Sequence, residues 1–81
     1  MPRANIPTRF AYAVPITDIE ELRLRLAEIE AMSGDVEGAH KAEDQLHWDV
    51  LAGIAGGVPN AQEMALEALR TLEIVKARWY S

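Results

Sequence analysis

Prolines and glycines cluster in three places in this 81-residue chain, and these clusters limit what it can fold into. Three of the four prolines fall within the first 15 residues, and the segments "SGD" and "GGVPN" interrupt stretches that are otherwise rich in helix formers. Proline lacks a backbone N–H and keeps the preceding residue out of the helical region. The pattern predicts an extended arm over residues 1–16 and an all-α domain over residues 17–81, a small bundle of three to four helices.

The first predicted helix covers about residues 17–32. Thr17 can cap it, with Glu20 returning the hydrogen bond in a Thr-x-x-Glu capping box. Apolar residues recur inside it at alternating three- and four-residue spacing, which gives one apolar seam. Packing in the chain's own core is the favoured interpretation, and a dimer seam is the alternative. The seam residues are Ile19, Leu22, Leu26 and Ile29.

Three further helices follow. Gly34 suits the left-handed position after the first helix, and Asp35 suits the N-cap of a second helix over residues 36–55. Asn60 can cap a third helix, and a fourth is predicted at about residues 72–79. In this last part of the chain, the residues predicted to lie in the core are Met64, Ala65, Ala68, Leu69 and Leu72.

Composition excludes several classes of protein. The chain has no cysteine, which removes disulfides, thiolate zinc sites and thiol nucleophiles. Its net charge of −5 argues against non-specific binding of nucleic acid, because binding to the phosphates needs clustered Lys and Arg. No apolar run approaches the ~20 residues that span a bilayer. We therefore expect a cytoplasmic protein, in the host cytoplasm if a phage encodes it, with no membrane or nucleic-acid partner.

The stretch "AHKAEDQLHW" concentrates the side chains that could carry chemistry. His40 and His47 are seven residues apart, so their backbones stand roughly 10 Å apart along a helix, which is too far to share one metal ion comfortably. Glu43 falls on the apolar side of the helix and needs a donor from another segment. We predict no metal, no cofactor and no catalytic residue here, but a structural clasp for the basic C-terminus, formed by His40, Glu43, Asp44, His47, Arg78 and Trp79.

Residues 28–81 resemble a known group of proteins. "GDVEGAHKAED" fits a Gly-Asp-x-Glu-x-Ala-His-x-x-Glu-Asp start, and "RWY" fits an Arg-Trp-Tyr finish. Both features are similar to small acidic helical proteins of actinobacteria and their bacteriophages. The resemblance implies a phage or host context and no particular activity. Small phage accessory proteins often act by binding and redirecting a host protein, which is an analogy for function.

These observations predict a small non-enzymatic accessory protein that acts by protein–protein binding and modulates or inhibits a host protein. The apolar residues of the arm, including Val14 and Ile16, recur at even spacing, so the arm should pack on its own helices, a second copy or a partner. The alternatives are a structural homo-oligomer, which would supplement a thin core, or a metal-binding or DNA-mimicking protein. The predicted partner-binding residues are Phe10, Tyr12, Ile19, Leu22, Leu24 and Leu26.

Overall fold

Four helices make up the regular structure of the described part of the chain. A computed structural model describes residues 12–32 and 34–80, and the side chains beyond residue 76 lie outside the description. The helices are α1 (Ile19–Glu30), α2 (Val36–Ala55), α3 (Ala61–Ala68) and α4 (Thr71–Tyr80). Within these residues there is no strand, so the predicted all-α class is confirmed. None of the described helices combines the length and apolar character that crossing a membrane requires.

The caps of α1 and α2 are both aspartates. Asp35 accepts a hydrogen bond from Gly38 N at 2.9 Å, as predicted for the start of α2. Asp18 caps α1 by accepting from Glu20 N at 3.2 Å. The predicted cap at Thr17 is therefore wrong by one residue, because the carboxylate that follows Thr17 reaches the free N–H groups of the first turn.

The left-handed glycine lies after α2 and not after α1. Gly57 has a φ of 94°, which a residue with a Cβ rarely adopts. The end of α1 instead tightens through hydrogen bonds from Met32 N to Ile29 O and from Asp35 N to Met32 O, each 3.0 Å long. Such a turn needs only right-handed backbone conformations, so the left-handed position predicted for Gly34 is wrong.

The apolar seam of α1 faces the centre of the molecule. Leu22, Leu26 and Ile29 are buried, and Ile19 packs partly against them. Helices α1, α2 and α3 pack on one another in all three pairings, and Ile74 of α4 packs against the same core. The interpretation of the seam as core is confirmed, since these side chains are covered by the chain's own α2 and α3.

The last part of the chain buries fewer side chains than predicted. Met64 and Ala68 are buried in the core, as expected. Ala65, Leu69 and Leu72 are exposed, so their predicted place in the core is wrong. Met64 and Ala68 lie one turn apart on the same side of α3. Each exposed residue comes directly after a buried one in the sequence, so its side chain points about 100° away from the buried side.

Candidate functional site

An extended segment, which we term the N-terminal strap (residues 12–16), lies along α2. Ile16 N donates to Asp49 O at 3.0 Å, and Gln45 Nε2 donates to Tyr12 O at 2.8 Å. Ile16 is buried, but Tyr12 and Val14 are exposed. In the described part of the arm, the evenly spaced apolar residues therefore do not form one packed face, because the strap turns only its last residue into the core.

Asp49 holds the strap in place. Its side chain is about 3% exposed, and its Oδ1 accepts hydrogen bonds from Val14 N at 2.8 Å and from Gln45 Nε2 at 2.9 Å. Its Oδ2 lies 3.2 Å from Arg25 Nη1 on α1. A buried carboxylate is costly unless it is paired and hydrogen-bonded. We call this group the Asp49 junction (Asp49, Val14, Gln45, Arg25), and it joins the strap, α1 and α2 at one side chain.

Gly53, one turn beyond Asp49, allows the strap to lie close to α2. A Cβ at this position would collide with the carbonyl oxygen of Ile16. Glycine inside a helix costs about 1 kcal/mol relative to alanine, so a glycine there needs a packing reason. Sequence reasoning missed the junction. An isolated glycine one turn after a core-side aspartate was the signal that could have indicated it.

The residues of the predicted clasp on α2 contact two different groups. Glu43 is buried, and its Oε1 lies 3.6 Å from His40 Nδ1. His47 Nε2 lies 3.0 Å from Thr71 Oγ1 at the start of α4. Asp44 is exposed. The helix thus separates the two histidines, one beside Glu43 and the other against α4.

Thr71 Oγ1 makes two contacts at the junction of α3 and α4. It donates to the carbonyl oxygen of Ala68 at 3.0 Å and lies 3.0 Å from His47 Nε2. Thr71 is buried. The contact with His47 therefore connects the start of α4 to α2.

Three predicted site residues lie outside what the structure describes: Phe10 of the arm, and the side chains of Arg78 and Trp79 in α4. The contact expected between Arg78 and Glu43 or Asp44 thus stays a prediction. The described backbone does place residues 78 and 79 within α4, whose first residue touches α2.

A second charged cluster connects α1 to the turn between α3 and α4. Glu67 Oε2 lies 2.7 Å from Arg70 Nη1 and 3.4 Å from Arg23 Nε. The hydrogen bond from Arg70 lowers the pKa of Glu67 below its ordinary value, and the charge of Arg23 acts in the same direction. We call these residues the Glu67 cluster (Arg23, Glu67, Arg70).

The described ranges contain no group of side chains that could bind a metal ion. No three side chains of the types His, Cys, Asp and Glu lie close enough there to hold a metal ion. His40 lies beside Glu43, whereas His47 contacts Thr71 of α4, so the two imidazole rings do not converge on one point.

Besides Leu24 and Val36, the large apolar side chains exposed on the described surface fall into two groups. On the strap, Tyr12 is 86% exposed, and on α2, Trp48 is 53% exposed. Trp48 precedes Asp49, which accepts a hydrogen bond from the strap, and Leu51 follows Trp48 by about one turn, on the side of α2 away from the strap contacts. We call Tyr12, Val14, Trp48 and Leu51 the aromatic patch. The second group, on α3 and α4, is the leucine stripe, formed by Leu66, Leu69 and Leu72.

The structure divides the predicted partner-binding residues. Leu22 and Leu26 are buried in the chain's own core, and Ile19 packs partly against it, so this seam offers no continuous surface to a partner. Tyr12 and Leu24 are exposed. The prediction missed the exposed residues of α2, because a tryptophan in a helical sequence is compatible with either side of the helix.

Comparisons with protein families, curated proteins and solved structures find no match to this chain.

Proposed function

We propose that this protein is a non-enzymatic binding module, of phage or actinobacterial origin, which engages and modulates a host protein through the aromatic patch. The observation that carries the proposal is the exposure of Tyr12 and Val14 on the strap and of Trp48 and Leu51 on α2, the helix that the strap contacts. Tryptophan and tyrosine are the residues most enriched where binding energy concentrates in protein interfaces. A group of exposed large apolar side chains is typical of an interaction site.

The support beneath the patch is rigid, which favours binding. Tyr12 and Val14 stand on a strap whose backbone is hydrogen-bonded to Gln45 and Asp49. Trp48 and Leu51 stand on a 20-residue helix. Side chains that are already held in place lose less conformational entropy on association. The Asp49 junction thus has a functional consequence, since it presents the strap and α2 as one surface.

The charge around the patch indicates the chemistry of the partner. Glu21 and Glu28 lie one turn to either side of Arg25, on the edge of α1 that faces the Asp49 junction, and Asp44 lies one turn before Trp48. Arg25 is itself paired with Asp49. We therefore expect a host protein whose binding surface has an apolar centre and a rim of Lys and Arg, since complementary charge steers association and excludes wrong partners.

Affinity capture from an actinobacterial lysate tests the proposal. The intact chain, a variant with Trp48→Ala and Leu51→Ala, and a control with Val36→Ala are immobilised, and retained proteins are quantified by mass spectrometry. Val36 is a suitable control because it is an exposed apolar residue of α2 outside the patch. We expect one host protein on the intact chain and the control, and at least about tenfold less on the patch variant, since a hot-spot loss of about 1.4 kcal/mol is tenfold in affinity.

Equal capture by the patch variant would contradict the proposal, as would no capture by a chain that circular dichroism shows to be folded. Two further versions of the capture experiment test the alternatives of metal binding and DNA mimicry. Capture that is lost only with a chelator would favour a metal-binding protein. Capture of a DNA-binding protein that duplex DNA competes away would favour DNA mimicry.

A further inference from the structure

We draw no further inference here: the strongest candidate, the leucine stripe on the exposed surface of α3 and α4, carries no proposal because nothing in the described part of the structure shows what covers it.

Discussion

At the scale of single residues, one carboxylate organises the N-terminal side of the protein. Asp49 accepts from the backbone of the strap and from Gln45, and lies beside Arg25 of α1. Each hydrogen bond of this kind contributes about 1 kcal/mol net, and more when an ionised group takes part. The strap therefore depends on polar contacts at its middle and on the burial of Ile16 at its end.

Replacing Asp49 by alanine should lower the free energy of unfolding by about 2 kcal/mol, because Val14 N and Gln45 Nε2 lose their acceptor and Arg25 loses its partner. Urea denaturation measures the loss. Lys41→Ala, on the exposed side of the same helix, should stay within about 0.5 kcal/mol. Equal stability of the two variants would mean that the junction does not hold the strap.

The sequence indicated one buried acid on α2 and missed the other. Glu43 was predicted to face the core because it falls on the apolar stripe of the helix, and it is buried. Asp49 lies at the border of that stripe, where the helix alone does not decide its burial. The strap covers it, and the strap is 33 to 35 residues away in sequence. Apart from Gly53, one turn later, nothing in the sequence around Asp49 indicates a contact of that range.

At the scale of elements, the end points of the helices follow from local chemistry. The bounds predicted for α2 match those observed, because Asp35 caps it and two glycines follow it. The fourth helix was predicted at 72–79 and covers Thr71–Tyr80. Local signals failed at the start of α1, where Thr17 and Asp18 were both suitable caps and only one reaches the first turn.

The close approach of the strap to α2 gives a prediction about Gly53. Alanine in its place should favour the helix by about 1 kcal/mol, yet its Cβ would displace the Ile16 carbonyl, which belongs to the backbone and cannot rotate away. We expect a net loss of at least about 1 kcal/mol in thermal or urea unfolding. The control is Gly34→Ala, where a Cβ meets nothing within 4 Å. A more stable Gly53→Ala variant would show that the strap is easily displaced.

At the scale of the whole molecule, charge links distant parts of the chain. The net charge is −5, and the Glu67 cluster joins α1 to the turn before α4. Because the pKa of Glu67 is lowered in the folded protein, its ionised form stabilises the fold. This contribution is fully present above the ordinary glutamate pKa and is lost as the pH falls through the lowered one.

The stability difference between the wild type and Glu67→Gln should follow that pH dependence. We expect up to about 1 kcal/mol in favour of the wild type near pH 7, since such partly exposed ion pairs are weak, and a difference that disappears in acid. Urea denaturation across pH measures it, with Glu28→Gln as an exposed control. A difference that grows as the pH falls would contradict the assignment of Glu67 as the stabilising anion.

The sequence by itself determined the helical class, the breaks between helices and the cap of α2 by Asp35. These features depend on residues within one or two turns of each other, where propensity and hydrogen bonding act locally. Only the tertiary structure decided which apolar residues are core and which are surface. Leu22 and Leu69 belong to similar periodic patterns, yet one is buried and the other exposed. The difference arises because a helix buries the side that its neighbours cover, and those neighbours come from distant parts of the chain.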